Sequence, residues 1–97
     1  MIKKLILTDV YIQFDISGVL AADIVDIQIA IKNVSSGVSV DYTLMAGDIV
    51  LSDTTAILHI EDTDIDTVGV YEVRMVSVMS TGDRLGMDLD KENILFI

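Results

Sequence analysis

Residues 25–32 read Val25-Asp26-Ile27-Gln28-Ile29-Ala30-Ile31-Lys32, four branched aliphatics separated one by one by a polar or small residue. On an extended chain successive side chains point to opposite faces. This period of two therefore predicts a strand with one face on a core and the other toward solvent. The segment that follows, Asn33-Val34-Ser35-Ser36-Gly37, is turn chemistry, because Asn and Gly tolerate positive φ. Alternation resumes in Val38, Val40, Tyr42 and Leu44 until Gly47-Asp48 breaks it.

The pattern extends in both directions. Upstream, Val10, Ile12, Phe14 and Ile16 alternate with Tyr11, Gln13 and Asp15, and Ser17-Gly18 ends the run. Ile6 and Thr8 keep that phase, which predicts a short earlier strand entering through a kink near Asp9. Val19 to Ile24 is the one stretch of helical character, and it is too short to matter. Downstream, Ile49 to Leu51 is a short apolar piece closed by Ser52-Asp53. Ala56, Leu58 and Ile60 then alternate with Ile57, His59 and Glu61, and an acidic loop runs from Glu61 to Asp66.

Gly69 to Met79 is the longest strand candidate. It has Tyr71, Val73 and Met75 on one phase, Glu72 and Arg74 on the other, and a far end made apolar on both faces by Val76 and Val78. Ser80 to Asp83 reads as a hairpin loop, Leu85, Met87 and Leu89 alternate again, Asp90 to Asn93 turns, and Ile94 to Ile97 closes the chain. About seven strands at intervals of about 8–12 residues are the signature of an all-β sandwich or barrel. No repeat, low-complexity segment or linker divides residues 1–97, which read as one domain.

Composition narrows the function classes. Hydrophobic residues make up 52% of the 97, and mean hydropathy is +0.59. A chain this short buries only about 60–65% of its unfolded surface, so that richness leaves apolar surface for a partner. The absence of cysteine excludes a disulfide scaffold, a thiolate zinc site and a cysteine nucleophile, and it favours a reducing cytosol. Six Lys and Arg stand against sixteen Asp and Glu, a formal charge of −10, which argues against nucleic acid and against an anionic membrane surface as partners. Thirteen of the sixteen acids are Asp, the turn-favouring acid. No apolar run approaches the roughly 18–20 residues that cross a bilayer. The run after Lys3-Lys4 is cut at Thr8-Asp9, too short for a signal-peptide core, so the chain reads as untargeted and intact from Met1.

Candidate chemistry is sparse. Asp62, Asp64 and Asp66 resemble the opening of a calcium loop, but Thr67 stands where the sharp-turn Gly belongs and Val73 where the bidentate Glu belongs. The plainer reading is a solvated acidic loop, with a weak cation site as the alternative. His59 is the only histidine, and no Gly-x-Ser-x-Gly elbow or other nucleophile motif accompanies it, so it reads as a surface or interface residue. Asp88 and Asp90 share a strand phase, but no cleft-forming insertion accompanies them. Gly47-Asp48 and Gly82-Asp83 are turns that open no helix, so neither is a phosphate loop. Met75, Met79 and Met87 read as core packing, with an adaptable interface patch as the alternative. The sequence implies no catalytic residue and no cofactor.

The segment Asp66-Thr67-Val68-Gly69-Val70-Tyr71-Glu72-Val73-Arg74 resembles the approach to the sixth strand of immunoglobulin-like domains, where a Tyr bonds back to the preceding corner. Asp66 lies three residues before Gly69 rather than two, and Val73 occupies the place of the antibody-type Cys, so only the architecture carries over. Read more widely, Gly69-x-Tyr71-x-Val73-Arg74, Gly82-Asp83-Arg84 and the closing Ile94-x-Phe96 resemble the C-terminal half of small sandwich domains in bacteriophage virions.

That resemblance implies a single immunoglobulin-like sandwich of about seven antiparallel strands and a structural role without enzymatic activity. The role would be in a baseplate, a tail-fibre adaptor or a head decoration, assembled in the host cytoplasm with other virion proteins and copies of itself. Tyr71 would be the structural corner tyrosine. The expected contacts are the apolar strand surfaces at Val76, Val78, Met79, Ile94, Phe96 and Ile97. The last segment, 94–97, carries no gatekeeping charge and so should be covered by its own fold or by a neighbouring subunit. The alternative is a carbohydrate- or cell-surface-binding module, disfavoured by the lack of Trp.

Overall fold

The computed structural model describes residues 2–16, 21–52, 54–87 and 93–97. The expectations for Met1, Ser17-Gly18, Val19, Asp53 and residues 88–92 lie outside the described residues. Among the described residues nine strands follow in chain order: β1 (Ile2–Lys4), β2 (Val10–Asp15), β3 (Ile24–Asn33), β4 (Ser39–Thr43), β5 (Ile49–Ser52), β6 (Thr55–Ile60), β7 (Gly69–Met79), β8 (Arg84–Met87) and β9 (Asn93–Phe96). A 3₁₀ turn, Ala21–Asp23, leads into β3. The described residues thus hold more strands than the spacing suggests, because the short pieces β1, β5, β8 and β9 each pair on their own.

The strands form two sheets. The larger runs β1-β9-β7-β3-β4, with β8 also on β7; the smaller runs β2-β6-β5. β7 is the hub of the larger sheet. One edge pairs with β3 from Tyr71 to Met79, while the other is divided between β9, opposite Gly69 to Glu72, and β8, opposite Met75 to Val78. β1 and β9 are parallel and the other pairs antiparallel. The chain changes sheet after β1, β2, β4 and β6, so neither layer is built from one continuous stretch.

Burial follows the alternation. Val10, Ile12 and Phe14 of β2 and Ala56, Leu58 and Ile60 of β6 are buried from the smaller sheet. Ile27, Ile29, Ile31, Tyr42, Tyr71, Met75, Ile94 and Phe96 are buried from the larger, and all join one core cluster.

Three local features depart from strict alternation. The register of β3 on β7 shifts between Ile24 and Asp26, a bulge that makes Val25 the extra residue. Ile24 takes the buried place that alternation assigns to Val25, which is 51% exposed. Asp26, only 9% exposed, has its Oδ1 satisfied by the Ile27 and Met45 amides, at 2.9 and 3.2 Å.

The early strand is at Ile2–Lys4 rather than Ile6–Thr8, and it belongs to the other sheet. Residues 5–9 cross between the layers, tied by Ile6 N to Ile97 O (3.0 Å) and Leu7 N to Ile65 O (3.1 Å). Leu7 adopts φ 57°, the left-handed region that side chains disfavour, and this resets the phase that Ile6 and Thr8 share with Val10.

The third departure concerns the closing strand. β9 is not an edge: it lies between β1 and β7. The segment is covered by its own chain, and the expectation that Ile94 and Phe96 are contact residues is corrected. They are 0% and 1% exposed, and the Phe96 ring meets Tyr71 edge-on at 5.1 Å. Ile97 remains exposed beyond the strand.

The corner before β7 rests on two residues. The Tyr71 hydroxyl donates to Thr67 O at 2.8 Å. Gly69 has φ 136°, a conformation that side chains disfavour, so the backbone there calls for glycine, while a Cβ would meet Asn33 Nδ2 at an ordinary contact distance of 3.4 Å.

On the inward face of β7, Ser77 is 0% exposed and its hydroxyl has no hydrogen-bond partner. An unpaired buried hydroxyl costs about 1–3 kcal/mol of desolvation. Ser77→Ala is therefore expected to raise stability by about 1 kcal/mol, read as a higher urea midpoint at unchanged slope. A lower midpoint would mean that the hydroxyl is bonded after all.

Candidate interaction site

The outward face of the larger sheet is set by the β3–β4, β3–β7 and β7–β8 registers. Directly opposed residues on neighbouring strands share a face. One row holds Asp41, Ala30 and Arg74; the next Thr43, Gln28, Val76 and Gly86; a third Asp26, Val78 and Arg84. Small Ala30 between longer neighbours leaves a groove of about 430 Å³, lined by Gln28, Ala30, Asp41, Thr43, Arg74 and Val76 among others. Its walls carry opposite charges. Asp41 on β4 and Arg74 on β7 are separated by β3, hence by about two strand spacings of 4.8 Å each.

Val76 and Val78 are half-buried on this face. Arg84 Nη2 donates to Gln28 Oε1 at 2.7 Å. Arg84 stands on β8 opposite Val78 and Gln28 on β3 opposite Val76, so the hydrogen bond spans β7 on the face where the two valines project. Of the expected contact residues, the structure brings Val76 and Val78 together. Met79 lies on the opposite phase of β7 and packs against the core, and Ile97 lies past the Gly69 end of β7, away from Val76 and Val78. Met75 is buried and Met79 packs against the core, in keeping with the core-packing reading of these two.

The acidic loop is organised by one apolar residue. Ile65 is buried, which draws the loop onto the core and splays the acids around it. Asp64 Oδ2 accepts from the Tyr42 hydroxyl and from Glu61 N, both at 3.1 Å. Asp66 accepts from the Thr67 hydroxyl, and the Asp62 amide donates to Asp9 Oδ1. Among the described residues no three His, Asp or Glu side chains converge to hold a metal ion. The Asp64 and Asp66 carboxylates are thus engaged within the fold, as acceptors of hydrogen bonds from Tyr42, Glu61 and Thr67.

One cluster escaped the sequence reading. Tyr11 of β2 and His59 of β6 are register partners, and their rings stack at 4.5 Å with an interplanar angle of 6°. His59 Nε2 lies 3.3 Å from Asp9 Oδ1, the same oxygen that accepts the Asp62 amide. The two side chains were each legible as outward-facing; that β2 and β6 are neighbours was not. The arrangement pins the imidazole flat and leaves Tyr11 63% exposed, the only exposed aromatic among the described residues. It offers a stacking surface rather than a proton relay. No described helix is long and apolar enough to cross a membrane.

Burial first, then the Asp64 carboxylate that accepts its hydrogen bond, raises the Tyr42 phenol above the ordinary tyrosine range. In the unfolded chain this phenol ionises near pH 10; in the folded chain it stays protonated further. Its contribution to stability is complete below about pH 10 and is lost as the pH rises above that value. Tyr42→Phe is expected to cost about 1 kcal/mol at neutral pH and to flatten the alkaline fall of the urea midpoint. A variant whose alkaline profile runs parallel to the parent's would refute that role for Tyr42.

No protein-family model, curated protein or solved structure matches this chain.

Proposed function

We propose that the chain is an immunoglobulin-like β-sandwich that acts through protein–protein assembly, as a structural, non-enzymatic component of a bacteriophage virion. Baseplate, fibre adaptor and head decoration are the positions that fit. The sandwich part is supported by a five-strand path β1-β9-β7-β3-β4 set against β2-β6-β5, by the parallel β1–β9 pair, and by the Tyr71 hydroxyl bonded back to Thr67. The virion part rests on the C-terminal sequence resemblance alone.

The observation that carries assembly is the outward face of the larger sheet. There Val76 and Val78 project where one Arg84–Gln28 bridge spans β7, beside a groove with Arg74 on one wall and Asp41 on the other. An apolar strip with charges of both signs at its margin is the composition of a contact patch. The acids keep free subunits soluble and apart: β2, β5 and β6 contain no Lys or Arg, and the whole chain carries −10. A second reading, a carbohydrate- or cell-surface-binding module, draws on the exposed Tyr11 ring backed by His59.

Light scattering on the eluting chain separates the two. Assembly predicts a defined oligomer that Val76→Asp with Val78→Asp reduces in mass, while the urea midpoint moves by about 1 kcal/mol or less, as for other half-exposed sites. A particle whose mass is indifferent to both substitutions, together with glycan binding lost in Tyr11→Ala, would favour the module instead.

A further inference from the structure

Among the described residues the two sheets present five outer edges, on β1, β4, β8, β2 and β5, and four of them are guarded; β8 spans only four residues. β1 spans only Ile2–Lys4 and carries two lysines, the residue that most discourages edge pairing. β5 spans four residues. The end of β4 is closed by its own loop, because Thr43 N donates to the Asp48 carboxylate and Thr43 O accepts the Asp48 amide. β2 has none of these devices. It runs Val10-Tyr11-Ile12-Gln13-Phe14-Asp15, without Lys, Pro, Gly or bulge, and its one charge is at the last position. Its ladder partner among the described residues is β6, on one edge.

We infer that β2 pairs with β2 of a second copy, antiparallel about a two-fold axis through Gln13, to make one continuous sheet β5-β6-β2-β2-β6-β5. The strand's own sequence selects that register. Buried residues must oppose buried residues, because opposed side chains share a face. The axis must then pass through a residue rather than between two. An axis through Ile12 sets Asp9 of each copy opposite Asp15 of the other, two like-charge pairs, with Asp9 already fixed by His59 and the Asp62 amide. Axes through Tyr11 or Phe14 shorten the ladder. The axis through Gln13 sets Tyr11 opposite Asp15, Ile12 opposite Phe14 and Val10 opposite Ile16, with no like charges facing and with the apolar set of both copies on the core side.

This contact is distinct from the Val76–Val78 face and does not rest on the virion reading. Two copies at −10 each repel, so the pairing strengthens as salt screens them, over a Debye length of about 8–10 Å near physiological ionic strength.

The test uses the lack of cysteine in the chain. Gln13→Cys places two thiols face to face on the axis, with Cα atoms about 4.5–5.5 Å apart, within disulfide range. Mild oxidation is expected to give a covalent dimer quickly, whereas Val50→Cys, exposed on the β5 edge of the same sheet, does not. Gln13→Lys, which puts two ammonium groups on the axis, is expected to raise the dimer Kd at least about tenfold by light scattering, with unchanged circular dichroism. Raising the salt is expected to lower the Kd of the parent chain.

A parent chain that stays monomeric at high concentration and high salt would overturn the inference. So would a Gln13→Cys variant that cross-links no faster than Val50→Cys. A dimer sensitive to Gln13→Lys but not to Val76→Asp with Val78→Asp upholds the β2 contact while removing support from the other face.

Discussion

The antiparallel ladder between β3 and β7 is the constraint on which the rest of the structure depends. It places Ile27, Ile29 and Ile31 opposite Ser77, Met75 and Val73 on the inward face, and Gln28 and Ala30 opposite Val76 and Arg74 on the outward one. The rest of the larger sheet is hung on these two strands: β4 on β3, β8 and β9 along the free side of β7, and β1 on β9. The corner that starts β7 is therefore under heavy constraint. Gly69, Tyr71 and Asn33 meet there, and Asn33 Oδ1 accepts the Ser35 and Ser36 amides, so the turn leaving β3 and the loop entering β7 are fastened at one point.

The same ladder explains why the outward face is neither fully polar nor bare. A sheet covered by nothing on its outer side normally alternates to polar residues there. Here Val76 and Val78 break that rule, and the break is bridged from a neighbouring strand. Arg84 reaches Gln28 across β7, on the face where the two valines project. Such a bridge is held by one hydrogen bond and long flexible chains, so a partner can displace it at modest cost. The bulge at Val25 belongs to the same economy of faces. By inserting one residue it sends a valine out and brings Asp26 to a site where two amides satisfy it, at the end of the sheet nearest Met45.

How much of this was legible in the sequence depended on whether a segment had a phase. β2, β6 and β7 each have one face buried and one open, so their alternation located them, and Gly69 to Met79 was readable end to end. Ile94 to Ile97 has no polar residue and hence no phase, so the sequence could not say that Ile94 and Phe96 turn inward while Ile97 stays out. Val25 kept the phase of Ile27 in the sequence but lost it to the bulge. The Asp62, Asp64 and Asp66 spacing looked like a ligand set because spacing ignores Ile65, whose burial orients the loop. Partner choice was the deeper gap. Period two says which way Tyr11 and His59 point, but nothing in either segment says that they are neighbours.

Partner choice also explains why β2 lies exposed. β1 pairs parallel with β9, and a parallel pair needs a crossover; here nearly the whole chain supplies it. The N-terminal segment is thereby committed to the larger sheet, and after the Leu7 turn the smaller sheet begins with β2 and no strand before it. A strand so placed has to be guarded by its own sequence or used. The other edge strands are guarded by lysines, by brevity and by a loop, whereas β2 holds none of these, and the protection left to it is the charge of the whole molecule. That protection is long-range and screened by salt, unlike a lysine on the strand. It slows the approach of a second copy without blocking the contact once made, which is the behaviour expected of an edge that is meant to pair under some conditions and stay free under others.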